Sequence, residues 1–153
     1  RDWSVTGVQT CALPICDIDL VVLPKSAEDL TRLLERCSAT ATQLKRGEQY
    51  VVFRLANGFQ LDLWIAHQTH EMPGDLFGQG AAVEPCNFGV LLLARTGSAM
   101  HNVWIAQEAS RRGMHFNPHR GITRRGQVIA SAEEEDVFAA LNLPFIAPER
   151  RER

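Results

Sequence analysis

Two short apolar stretches each carry acids where a strand would not need them. In "CDIDLVVLP" Asp17 and Asp19 lie two residues apart inside a run of Ile, Leu and Val, and in "FQLDLWI" Asp62 interrupts a second such run. Alternate residues of a strand point the same way, so Asp17 and Asp19 project side by side while Ile18 and Leu20 face the other side. Around Asp62 the apolar Phe59, Leu61, Leu63 and Ile65 take the opposite face in the same manner. Carboxylates this close repel one another unless a cation lies between them. The cation that suits an all-oxygen donor set shared with phosphates is Mg²⁺. The plainer alternative is three solvent-facing acids on an amphipathic sheet, because alternation leaves one face polar in any case.

Other candidate ligands are weaker. "HQTH" (His67, His70) and "HFNPH" (His115, His119) have spacings that metal sites use, but both lie in loop-like contexts with no third ligand nearby. The four cysteines, Cys11, Cys16, Cys37 and Cys86, form no C-x-x-C pair, which argues against a structural zinc site and fits a reducing, cytoplasmic setting. No apolar run approaches the ~20 residues of a bilayer span, so no membrane role is expected. The net charge of −2 hides an asymmetry: residues 1–85 sum to −4 and residues 86–153 to +2. Thr96 to Val128 contains five Arg against one Glu, which allows a polyanionic partner as well as an ordinary mixed surface.

The elements that would position these groups alternate. "DIDLVVLP" reads as a strand, after which Ser26 can cap a helix, "AEDLTRLLERC", with Leu30, Leu33, Leu34 and Cys37 at helical spacing. Two β-rich runs flank Asn57-Gly58, a strong hairpin signal. A Gly- and Pro-rich stretch from Gln68 to Pro85 marks a subdomain boundary. Beyond it Ser98 can cap "AMHNVWIAQEASRR", which Gly113 would end, and "MHFNPHRGITRRGQVIAS" carries the turn residues of a short antiparallel sheet. Ser131 with Glu134 reads as a capping box for "EEEDVFAALNL". The fold class is α+β, with a first unit at residues 16–85 and a second at 86–153.

In order, "CDIDLVVLP", "ANGFQLDLWIA", "NFGVLLLARTGSAMHN" and "GMHFNPHRGITRRGQVIASAEEEDVFAALNLPFIAPERRE" resemble successive motifs of the family X DNA polymerases. Three aspartates alone would be unspecific; the T-G-S-x-x-x-N run and the Leu-Pro-Phe-Ile-Ala-Pro-Glu-Arg ending give the resemblance its specificity. It implies a partial palm built on a nucleotidyltransferase sheet, followed by a small α+β thumb of polymerase-beta type. It further implies that Asp17, Asp19 and Asp62 hold two Mg²⁺ ions and are the catalytic carboxylates, Asp62 beside the primer 3′-hydroxyl. Thr96, Gly97 and Ser98 would form the turn on which the incoming nucleotide rests, and Asn102 would hydrogen-bond in the minor groove of the new pair. The implied partners are primer-template or gapped DNA and a deoxynucleoside triphosphate, the implied role gap filling in DNA repair by a monomer.

The chain also departs from that pattern. Cys16 stands where the family has Gly, the Gly-Ser loop that holds the triphosphate is not found upstream of Asp17, Ala94-Arg95 replaces an aromatic pair, and Trp64 takes the place of a frequent Arg. Residues 1–15, "RDWSVTGVQTCALPI", resemble the translated read-through of a sequencing adapter and are set aside as non-native. The chain then reads as a truncated piece, inactive by itself, of an active nucleotidyltransferase. The alternatives are a template-independent nucleotidyltransferase of the same superfamily and an inactive DNA-binding fragment.

Overall fold

The structure, a computed structural model, describes residues 17–72 and 82–151. The proposed adapter segment therefore lies outside the described residues. Those described form two compact units, 17–66 and 67–151. The Gly- and Pro-rich stretch that marks a boundary in the sequence supplies the first two strands of the second unit.

In the first unit, β1 (Asp17–Val22), α1 (Ala27–Thr40), β2 (Ala41–Arg46), β3 (Tyr50–Leu55) and β4 (Gln60–Ile65) make a four-stranded sheet in the order β1-β4-β3-β2 with one helix. β1 and β4 are parallel, and the other pairs are antiparallel. Period-two alternation decides the layering: Val22, Val51, Phe53 and Leu63 are buried with Leu34 of α1, and Leu20, Leu30, Leu33, Cys37, Leu61 and Ile65 pack around them. Each fully buried side chain of this size contributes about 1.5–3 kcal/mol of transfer free energy. Burial also raises the Cys37 thiol pKa above its ordinary value, which keeps it a small core hydrophobe. Ser26 caps α1 through its hydroxyl, which accepts from the Asp29 N–H at 3.2 Å, and Glu28 and Asp29 in the first turn complement the helix dipole.

The β3–β4 hairpin closes as its Asn-Gly signal implies. Gly58 donates to the Leu55 carbonyl at 2.9 Å, Leu55 donates to the Phe59 carbonyl at 2.8 Å, and the Asn57 Oδ1 accepts from the Phe59 N–H at 3.1 Å. Gly58 takes the left-handed conformation, φ +88°, that this loop demands. β2 has no counterpart among the elements expected from sequence. "ATQLKR" has no apolar alternation because it is an edge strand exposed along most of its length, with a register shift between Gln43 and Lys45.

The second unit runs β5 (His70–Met72), β6 (Ala82–Glu84), α2 (Phe88–Thr96), α3 (Ala99–Arg111), β7 (His115–Asn117), β8 (Gly121–Arg124), β9 (Gln127–Ala130), α4 (Glu134–Ala140) and a 3₁₀ turn, Pro148–Arg150. β5–β6 is a two-stranded ribbon and β7-β8-β9 an antiparallel three-stranded sheet. Val90, Leu93, Ile105, Ala109, Phe116, Ile122, Val137, Phe138 and Leu141 form its core. Gly113, at φ +67°, follows α3 as its spacing predicts.

The capping box at Ser131 is not formed. The residue before α4 is Glu133 and makes no side-chain cap. Ser131 is buried and donates instead to the Cys86 carbonyl at 2.8 Å, while the Glu134 carboxylate accepts from Arg151. The same segment serves another helix: the Ala132 and Ser131 carbonyls accept from the Gly89 and Val90 N–H groups at 2.8 and 2.9 Å, satisfying donors that the first turn of α2 would otherwise leave open. The approach requires glycine, since a Cβ on residue 89 would lie 2.2 Å from the Glu133 carbonyl carbon.

Candidate functional site

The first unit gathers the three aspartates on one face. Asp19 and Asp62 are register partners on parallel neighbours, and Asp17 pairs with Gln60 one dipeptide away. Neighbouring strands lie about 4.8 Å apart, so the Asp19 and Asp62 side chains leave the sheet as immediate neighbours. The face opposite is the one α1 covers. Asp17 is exposed, and Asp19 and Asp62 are half-buried.

Their carboxylates are engaged from within the sheet. Trp64 donates its indole Nε1–H to Asp19 Oδ1 at 2.6 Å, and Gln60 donates its amide to Asp62 Oδ1 at 2.8 Å. Trp64 in turn stacks on Tyr50 at 5.3 Å between ring centroids, and the Lys45 ammonium lies 4.9 Å over the Tyr50 ring. A continuous row thus crosses all four strands: Asp19, Trp64, Tyr50, Lys45.

The donor set, three carboxylates on adjacent strands, fits a hard divalent cation in type and register. As oriented, the side chains do not converge: among the described residues no group of three or more His, Cys, Asp or Glu side chains is disposed to hold a metal ion. Two of the three carboxylates point an oxygen at a neighbouring N–H, which accounts for part of that divergence. The histidine spacings hold no such group either. His67 and His70 meet edge to face with centroids 5.0 Å apart, and each Nδ1 lies 3.1 Å from the Gln68 carbonyl oxygen. Desolvation, with the Arg95 charge adding to it, lowers the His119 imidazole pKa.

In the second unit the Thr96-Gly97-Ser98 turn is tied to a residue that the sequence motifs do not single out. Arg151 is fully buried. Its Nε donates to the Ile146 carbonyl at 2.8 Å, and its Nη1 donates to Glu134 Oε1 at 2.7 Å and to Thr96 Oγ1 at 3.1 Å. The guanidinium also lies 5.6 Å from the ring centroids of Phe138 and Phe145. Ser98 closes the loop by donating to the Arg151 carbonyl at 3.1 Å while accepting from the His101 N–H at 3.1 Å as the cap of α3. In the sequence Arg151 lies one residue beyond the Leu-Pro-Phe-Ile-Ala-Pro-Glu-Arg ending.

Gly97 leaves little room for a side chain. A Cβ there would meet the Leu93 carbonyl at 3.0 Å, Asn102 Oδ1 at 3.1 Å and His101 Nδ1 at 3.1 Å. Asn102 donates its amide to the Ala94 carbonyl at 2.8 Å, and its Oδ1 is buried without a partner among the described residues. The turn and Asn102 are therefore one packed unit joining the end of α2 to the start of α3. Nearby on α3, the Arg112 and Arg111 guanidiniums hold the Glu108 carboxyl pKa below its usual range.

No curated protein matches the chain. Residues 91–152 match the family model of the DNA polymerase beta thumb. That span contains the turn, α3, the three-stranded sheet, α4 and Arg151. From Leu91 onward, the second unit is accordingly similar to a thumb of the DNA polymerase beta type.

Proposed function

We propose that the chain is the palm and thumb of a family X DNA polymerase, which adds a deoxynucleotide to a primer 3′-hydroxyl in short DNA gaps. The observation that carries this reading is the in-register Asp19–Asp62 pair, with Asp17 on the same face, in a chain whose residues 91–152 match a polymerase thumb. Two Mg²⁺ ions would supply the positive charge that nucleotidyl transfer needs at its attacking and leaving oxygens. Asp17, Asp19 and Asp62 would hold them. The remaining task of the protein is positioning, since such chemistry needs no protein nucleophile. Thr96, Gly97 and Ser98 offer a close-packed turn for the incoming deoxynucleoside triphosphate, and Asn102 offers an amide to the edge of the new base pair. To do so, Asn102 must exchange its bond to the Ala94 carbonyl for one to the nucleic acid.

The activity is assigned to the parent protein that supplies the triphosphate-holding loop. There, Asp62→Asn abolishes Mg²⁺-dependent primer extension on gapped DNA while DNA affinity changes less than about twofold, because binding draws on Arg and Lys contacts to phosphate. Undiminished extension by this variant would remove the proposed mechanism.

A further inference from the structure

The loop from His67 to His70 opens the second unit, and none of its chemistry enters the polymerase reading. Its backbone is pinned at two points. The His67 N–H donates to the buried Asn87 Oδ1 at 2.8 Å, and Thr69 Oγ1 accepts from the Cys86 N–H at 3.0 Å. His70 then enters β5 opposite Glu84. The loop so held brings three donor atoms together: Nδ1 of His67, Nδ1 of His70 and the Gln68 carbonyl oxygen, each nitrogen 3.1 Å from the oxygen. The rings lie edge to face, 5.0 Å apart between centroids, and converge on that oxygen.

This spacing is that of a coordination sphere. Nitrogen and oxygen ligands of a zinc-like ion lie about 2.0–2.1 Å from it, so two of them are about 2.9 Å apart at right angles and about 3.4 Å apart at the tetrahedral angle. Both 3.1 Å separations fall between these limits. The third member is main chain, so the H-x-x-H spacing by itself shows only two donors.

We propose that the two Nδ1 atoms and the Gln68 carbonyl bind a borderline divalent transition ion of the Zn²⁺, Ni²⁺ and Cu²⁺ group. Two imidazoles with one neutral oxygen suit such an ion and do not suit Mg²⁺ or Ca²⁺, which take oxygen sets. Without the ion, the carbonyl oxygen can only accept, so each contact is a hydrogen bond from an Nδ1–H. On binding, the hydrogen of each neutral ring passes through solvent from Nδ1 to Nε2, and the ion takes the place of the two hydrogens. His67 is half-buried and Gln68, Thr69 and His70 are exposed, so the donors are reachable from solvent and water completes the coordination. The site is independent of the carboxylates of the first unit.

The test uses the 153-residue chain with Zn²⁺ alone. Calorimetry should show a saturable site that His67→Ala and His70→Ala each weaken at least about tenfold, whereas His115→Ala, in the other spaced pair, does not. Ring-nitrogen NMR of the wild-type chain gives a readout that needs no variant: with Zn²⁺, both Nδ1 atoms should take the shift of a coordinated nitrogen and both Nε2 atoms should carry the hydrogen. Coordination through Nε2, an affinity unaltered in either His67→Ala or His70→Ala, or the absence of saturable binding would each overturn the proposal.

Discussion

Arg151 shows how a single side chain can determine whether a motif has a shape. Its guanidinium joins Glu134 of α4, Thr96 at the end of α2 and the Ile146 carbonyl, and its own carbonyl takes the Ser98 hydroxyl. Burying a charge is tolerable only with partners of this kind, and removing one member leaves the other desolvated and unpaired. Arg151→Ala should therefore lower the unfolding free energy by about 3 kcal/mol, read from the denaturant midpoint at constant slope. A loss under about 1 kcal/mol would mean that Glu134 re-solvates freely. The sequence could not reveal this. Its local context is a charge run, and only the return of the chain beneath α2 makes residue 151 interior. Asp17, Asp19 and Asp62 were legible for the opposite reason, as acids in strands whose other positions are apolar. Their engagement with Trp64 and Gln60 depends on rotamers, which strand periodicity does not specify.

Elements were legible wherever a local device sets them. Ser26 and Ser98 cap α1 and α3 as their positions imply, and Asn57-Gly58 turns the hairpin that brings Asp62 beside Asp19. That turn can be tested in isolation. A Cβ at Gly58 would meet nothing within 4 Å, so Gly58→Ala is penalised only for its positive φ, by about 1–2 kcal/mol, with no change in cation or DNA binding. A larger drop in stability would show that the register of β3 and β4 depends on this one residue. What the sequence hid was non-local. β2 exists because β3 offers it an edge, and the Ser131 carbonyl serves α2, far earlier in the chain, instead of its own hydroxyl serving α4. A capping box predicts well only where the neighbouring helix makes no competing demand.

At the scale of the whole molecule the two halves of the sequence carry opposite net charge. Residues 1–85 carry a charge of −4, with the three aspartates among them, and residues 86–153 carry +2. A polyanion should therefore be held mainly by residues 86–153. The Arg124-Arg125 turn between β8 and β9 is an exposed part of that surface. Replacing both residues by Gln should weaken DNA binding uniformly across sequences and reduce the slope of log affinity against log salt by about two, one for each phosphate no longer neutralised. An unchanged slope would place the DNA elsewhere.

The burial of Arg151 has a further consequence during biosynthesis. Chains leave the ribosome N-terminus first, at about 5–20 residues per second, and elements fold as they emerge. Every residue of the second unit's hydrophobic core precedes Arg151, so the helices and the small sheet can collapse before it appears. Until then Glu134 and Thr96 lack their guanidinium partner and Ser98 lacks the carbonyl that receives its hydroxyl. Until the codon for Arg151 is read, the nascent second unit is thus a collapsed but unlatched body.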